Sequence, residues 1–215
     1  MRAATDRRRF GTGLLVLCGL GLTGCPHQAS SPSLPISESP GAAAGALEPT
    51  PIELTSTAFG AGQAIPPRYA EDGEDLSPPL AWSGLPEATR ELALICDDPD
   101  APSPKRPAAE PWVHWVLYKI PPGAGGLPEG IPAAARLEDP PGAIQGNNSW
   151  PTIGYRGPAP PPGSGTHRYF FKLYALDVEL DVAPGLDKKA LLEAMSGHVL
   201  GEGELMGTYE RGMGR

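Results

Sequence analysis

The sequence predicts a mainly β fold with one or two short helices, and three observations carry that expectation. Four apolar runs have strand length, glycine and proline crowd the stretches between them, and a helical pattern occurs once. The runs are residues 52–59, 92–96, 113–120 and 169–176. The chain holds 28 glycines and 28 prolines, a content that signals disorder when it lacks pattern. Here it separates apolar runs, as the long loops of an all-β protein do. In the third run Val113, Trp115 and Leu117 alternate with His114, Val116 and Tyr118. Both faces are then largely apolar, which suits a central strand of a sandwich. The helix is expected over about residues 188–196. Asp187 is its N-cap, Leu186 and Leu191 form a hydrophobic staple, and Gly197 stops it. Ala190, Leu191, Ala194 and Met195 share one face and should dock on the sheet.

The first 24 residues read as an export signal. Arg7, Arg8 and Arg9 form a basic n-region ahead of an apolar stretch rich in leucine. That stretch is shorter than the ~20 residues a membrane span needs. The arginine run fits an ordinary secretory signal and, more loosely, a twin-arginine one, so the export route stays open. Leu22-Thr23-Gly24-Cys25 resembles a bacterial lipobox, which makes Cys25 the expected lipidation site and gives the protein a membrane anchor. Pro26 stands where an Asp often marks inner-membrane retention, so the outer membrane is favoured within the envelope. Residues 25–50 carry almost no large apolar side chains and are expected to act as a Pro/Ser/Ala tether. One folded domain is expected over residues 51–215.

Charge and cysteine content narrow the function classes. The full chain has a net charge of −8. Removing residues 1–24 takes away four arginines and one aspartate, leaving −11. Such a body repels phosphate backbones, so nucleic acid is not an expected partner. Cys18 leaves with the signal and Cys25 takes the lipid, so Cys96 alone remains, a core residue within an apolar run. No cofactor is implied. Gly19 to Gly24 matches a dinucleotide-binding glycine pattern, but inside the signal, and no G-x-S-x-G, C-x-x-C or H-E-x-x-H motif occurs. Asn147-Asn148-Ser149 fits a glycosylation sequon without an evident use.

Three segments concentrate chemistry. Asp97-Asp98-Pro99-Asp100-Ala101-Pro102 follows an apolar strand and fits either a solvated acidic turn or the rim of a site. Pro111-Trp112-Val113-His114-Trp115 carries a histidine that fits a satisfied core residue as well as a ligand group. Gly157-Pro158-Ala159-Pro160-Pro161-Pro162-Gly163 leads into His167-Arg168-Tyr169 at the start of the last apolar run.

Taken together, these segments resemble the phosphatidylethanolamine-binding, or Raf-kinase-inhibitor-like, family in its bacterial branch. Asp72-Gly73 through Ser77-Pro78-Pro79-Leu80-Ala81-Trp82 is similar to one family signature, and Asp98-Pro99-Asp100-Ala101-Pro102 to another. His114 stands two residues after Trp112 as in the family's third motif. Gly157-Pro158 with His167-Arg168-Tyr169, and the closing Glu204 to Tyr209, complete the series in order. The resemblance implies an antiparallel β-sandwich with a large central sheet. It also implies a pocket for phosphate, acetate or a phospholipid headgroup, formed by Asp98, Asp100, His114, His167 and Tyr169, with Trp112, Pro102, Gly157 and Pro158 shaping its walls. A cis bond is expected at Ala101–Pro102 or Glu110–Pro111. Arg156 and the extra proline after Ala159 depart from the family pattern at the rim.

Imidazoles and a phenol supply the donors a phosphate oxygen needs. Two carboxylates beside an anion would repel it unless they raise the histidine pKa values or accept from a ligand amine. A zwitterionic phosphoethanolamine headgroup satisfies both signs. On this reasoning the histidines titrate above the usual ~6.5, anion binding weakens as pH rises through about 6 to 8, and Arg168, across the strand from Tyr169, matters little. The leading expectation is a non-enzymatic, membrane-tethered binding protein for a small anion. The alternatives are an envelope protein that inhibits or docks on another protein, and a hydrolase using Asp98, Asp100, His114 and His167 around a metal or water.

Overall fold

A computed structural model describes residues 48–213. The expected signal peptide, Cys25 and most of the tether lie outside the described residues. The strands are β1 (Thr50–Pro51), β2 (Glu53–Thr55), β3 (Leu80–Ser83), β4 (Glu91–Asp98), β5 (Trp112–Ile120), β6 (Gly126–Leu127), β7 (Ile144–Gln145), β8 (His167–Leu176) and β9 (Val199–Tyr209), with helix α1 at Lys188–Met195. A six-stranded sheet runs in the order β1-β9-β8-β4-β5-β7, and a three-stranded sheet in the order β2-β3-β6. The fold is therefore mainly β with one dominant sheet, as expected. It departs from a purely antiparallel sandwich at one edge, where β1 pairs parallel to β9.

The two faces of the large sheet bury different clusters. Leu92, Leu94 and Cys96 of β4 join Leu54, Leu80, Trp82 and Leu127 of the small sheet. Ala93 and Ile95 face the other way and join Leu191 and Met195 of α1. Every residue of β4 is buried in consequence. The helix follows its sequence signals: the Asp187 carboxylate accepts from the Ala190 N–H at 2.8 Å, and Gly197 adopts φ +82° just past the end. Asp97 lies on the helix side of β4, 1% exposed, where Lys188 of α1 and Lys172 of β8 bring their ammonium groups to its carboxylate.

Two strand expectations need correction. Residues 52–59 do not form one strand, because the Ser56 hydroxyl accepts from the Ala58 N–H at 3.1 Å and donates to the Pro79 carbonyl at 2.6 Å, turning the chain after Thr55. Simple alternation also fails in β5. Trp115 pairs with Cys96 while Val113 pairs with Asp97, so His114 is the extra residue of a β-bulge. Val113 consequently lies with Val116 and Tyr118 on the helix side, whereas Trp115 packs between the sheets. His114 turns toward Tyr169, a residue of that same inter-sheet cluster. The bulge releases backbone groups from the ladder, and the neighbouring loop takes them up. Val113 N–H donates to the Ser149 hydroxyl at 2.9 Å, and the His114 carbonyl accepts from Arg156 N–H at 3.0 Å.

Candidate anion site

The ends of β4, β5 and β8 bring four of the expected side chains together. On β8, His167 and Tyr169 are two residues apart and both are buried, pointing to the inter-sheet face. Cross-strand register pairs Asp97 with Phe170, which sets Asp98 opposite Tyr169 on the next rung. The bulge adds His114, whose ring meets Tyr169 edge-on with centroids 5.1 Å apart.

Hydrogen bonds decide what each group offers. Asp98 Oδ2 accepts from His167 Nδ1 at 2.8 Å, and its Oδ1 accepts from the Asp100 N–H at 2.7 Å. His167 Nε2 lies 3.0 Å from the Ser164 hydroxyl. Both ring nitrogens of His167 are thus engaged within the protein, and an anion reaches this ring only through Ser164 or by displacing it. His114 Nδ1 is 2.6 Å from the Arg156 carbonyl oxygen, which can only accept. That nitrogen therefore carries the proton, and the neutral ring keeps Nε2 as an acceptor. Burial holds the His114 pKa below the ordinary imidazole value, opposed by the Arg156 carbonyl and the Asp98 charge. This reverses the expected upward shift for this ring, because desolvation of the cation outweighs the nearby carboxylates.

Asp100 is held by Arg168. Its Oδ2 accepts from the Arg168 backbone N–H at 3.0 Å and from Nε at 2.8 Å, and its Oδ1 accepts from Nη2 at 2.8 Å. This fork keeps the Asp100 pKa below the usual carboxylate range. Arg168 was expected to matter little because strand alternation points it away from Tyr169. Its guanidinium instead turns back to pair with Asp100, one of the two carboxylates at this end of the sheet.

Tyr169 is the group left unused. Its hydroxyl is buried and makes no well-formed hydrogen bond among the described residues, with the Asp98 carboxylate and the Ala159 backbone as its near neighbours. Burial, then the charge of Asp98, pushes its pKa upward, so it remains a donor. An orphaned buried hydroxyl costs ~1–3 kcal/mol, and such a group in a native fold calls for a ligand or water.

The wall residues take up different positions. Gly157 and Pro158 are buried. Gly157 donates to Asp75 Oδ1 at 2.7 Å, and a Cβ there would sit 2.2 Å from the Tyr69 carbonyl oxygen, so only glycine permits this approach. Trp112 is 40% exposed and meets Trp150 edge-on at 5.3 Å. Pro102 is exposed and follows a cis bond from Ala101, while Glu110–Pro111 is trans.

Sequence reasoning missed Trp150 and Ser164. Trp150 meets His114 at 5.1 Å and has the Arg156 guanidinium over its ring at 4.7 Å. Asn148, set aside as part of a sequon, aims it: its Oδ1 accepts from Trp150 N–H at 3.0 Å and Thr152 N–H at 3.2 Å. Elsewhere a groove of about 1040 Å³ runs between α1 and the 147–149 turn, but its lining mixes Glu110, Lys188, Lys189 and Glu193 and includes none of the four clustered residues. No group of three His, Cys, Asp or Glu among the described residues is arranged to hold a metal ion. No described helix is long and apolar enough to cross a membrane.

Fold and site together define a β-sandwich protein with a buried Asp/His/Tyr cluster at one end of its main sheet. Comparison with known proteins sharpens this. The phosphatidylethanolamine-binding protein family profile matches residues 55–210, and the chain belongs to that family. A UPF0098 protein of Methanothermobacter thermautotrophicus is 55% identical over 161 residues, covering 75% of this chain and all of that protein. A crystal structure of a phosphatidylethanolamine-binding protein homologue from Chlamydia trachomatis is 42% identical with a TM-score of 0.66, covering 75% of this chain and 99% of its own. E. coli YbcL, described as a member of the mammalian family, is 30% identical with a TM-score of 0.64, over 74% of this chain and 98% of its own. Proteins of this family are in general binding or regulatory proteins.

Proposed function

We propose that this protein binds a small anion of phosphate or phospholipid-headgroup type, without turning it over, as a lipid-anchored protein of the bacterial envelope. The observation that carries the reading is the buried, unpartnered Tyr169 hydroxyl beside the neutral His114 ring. Tyr169 offers a donor to a phosphoryl oxygen, and His114 Nε2 offers an acceptor to a protonated group of the ligand. A headgroup that carries both an acceptor oxygen and an ammonium answers both, and a singly protonated phosphate does so more weakly. Asp100 does not oppose an anion, since it is paired with Arg168, and the Asp98 carboxylate, hydrogen-bonded to His167, favours a ligand that also carries an ammonium. Localisation rests on the sequence alone, through the basic and apolar start and the lipobox ending at Cys25.

Calorimetric titration of the purified protein with phosphoethanolamine, inorganic phosphate and zinc, each alone, tests the proposal. Phosphoethanolamine is expected to bind most tightly and zinc not to bind. Heat from zinc alone would replace this reading with a metal site, and no heat from either phosphate compound would end it.

A further inference from the structure

The bonds around His167 form a chain whose order matters. A carboxylate, Asp98 Oδ2, lies on Nδ1 at 2.8 Å, and a hydroxyl, Ser164 Oγ, lies on Nε2 at 3.0 Å. Since the carboxylate accepts from Nδ1, the neutral ring has its lone pair on Nε2 and takes the hydrogen bond of the serine. This is the connectivity by which a serine is activated: nucleophile to base, base to an orienting carboxylate. Asp98 is itself held, because its other oxygen accepts from the Asp100 N–H.

Further features separate Ser164 from a serine that merely braces a histidine. A loop serine usually bonds nearby backbone, whereas this one turns its hydroxyl to the ring. It lies between Gly163 and Gly165, with φ of +74° and +102°, on a turn closed by Ser164 N–H to the Pro161 carbonyl at 3.0 Å. Without flanking side chains at these two positions, the partly exposed Ser164 is approachable although His167 is fully buried. Lastly, the unpartnered Tyr169 hydroxyl stands on the same strand face as His167, two residues along. It is a donor on the same face as the base, the kind of group that stabilises an oxyanion.

We propose that this cluster also performs acyl transfer, with Ser164 attacking small carboxylic esters. Ser164 Oγ forms a bond to the ester carbonyl carbon while its proton passes to His167 Nε2, and the carbonyl oxygen becomes an oxyanion that accepts from Tyr169. Collapse breaks the bond to the alkoxy group, which takes the proton from Nε2 and leaves as the alcohol. Water then repeats the two steps on the acyl-serine, releasing the carboxylic acid and restoring Ser164. Ser164 and His167 are the catalytic residues, and Asp98 is a positioning residue. This goes beyond anion binding and does not depend on it.

The test is treatment of the purified protein with a fluorophosphonate, followed by intact mass measurement and peptide mapping. One adduct on the wild-type protein, located at Ser164, is the expected result. Ser164→Ala should abolish it. Asp98→Asn should slow it by at least about tenfold, since a misoriented imidazole is a poor base. Mapping the wild-type adduct keeps the result independent of whether either variant folds. No adduct under conditions that label a serine hydrolase, or an adduct on another residue, overturns the proposal. A parallel titration with dimethyl phosphate separates the two readings: binding without labelling leaves only the anion site, and labelling without binding leaves only the nucleophile.

Discussion

Removing the hydroxyl of Tyr169 should leave the fold at least as stable and weaken ligand binding. This hydroxyl is buried without a well-formed hydrogen bond, and the ring carbon atoms already pack with Phe171 and its neighbours in the inter-sheet core. Tyr169→Phe therefore removes an unsatisfied polar atom while keeping the ring. The cost of such a buried group is ~1–3 kcal/mol, and water entering the site offsets part of it, so stability should be unchanged or rise by about 1 kcal/mol. For a domain of this size that is an increase in Tm of about 2–4 °C. The ligand loses a hydrogen bond to a charged acceptor, ~1.5–3 kcal/mol, which corresponds to a Kd about 10- to 150-fold weaker. Urea unfolding of both proteins and calorimetric titration with phosphoethanolamine read the two quantities separately. A loss of more than about 1 kcal/mol of stability would mean that the hydroxyl has a partner in the folded protein, and the argument for a ligand there would fail.

Other outcomes follow from single contacts. His114 has a depressed pKa, so its folded state binds a proton less readily than the unfolded chain. Its contribution to stability is present above the unfolded value of ~6.5 and is lost as pH falls from there toward the folded value. Over the same interval, affinity for dimethyl phosphate, whose charge is constant, should rise as the ring becomes cationic. His114→Gln should flatten that profile, and a wild-type affinity that rises with pH would contradict an anion held beside this ring. Asp187→Ala removes the acceptor for the Ala190 N–H and should cost about 1 kcal/mol in urea unfolding, without changing ligand affinity. Gly157→Ala drives a Cβ into the Tyr69 carbonyl and should both destabilise the protein and weaken the ligand, checked by the same two assays. Cys25→Ser should move the protein from the membrane fraction to the soluble fraction, and unchanged fractionation would dismiss the lipobox reading.

Much of the fold was legible because burial leaves a regular trace. The apolar runs became β4, β5 and β8, and Asp187 and Gly197 bounded α1 as capping chemistry requires. Less legible was whatever depends on one residue out of step. The bulge at His114 reverses the side on which Val113 lies, and nothing in an alternating apolar run announces an extra residue. A parallel two-residue β1 is too short to carry a period. At the site, the motifs named Asp98, His114, His167 and Tyr169 as neighbours. They did not show that Arg168 engages Asp100 or that Ser164 engages His167, because both bonds depend on how adjacent strand ends and loops close in space. Trp150 was hidden for a related reason: an asparagine that looked like a modification signal instead folds the turn that presents the ring.

The most direct test of the central claim is the side-chain nitrogen spectrum of the histidines, recorded with 15N label before and after adding phosphoethanolamine. In the free protein His114 should give the signature of a neutral ring protonated at Nδ1. On saturation its Nε2 resonance should shift while Nδ1, bonded to the Arg156 carbonyl, moves little, and Tyr169→Phe should weaken the titration without abolishing folding. A His114 ring already cationic at neutral pH, or Nε2 unmoved at saturating ligand, would contradict an anion site built on this ring and Tyr169.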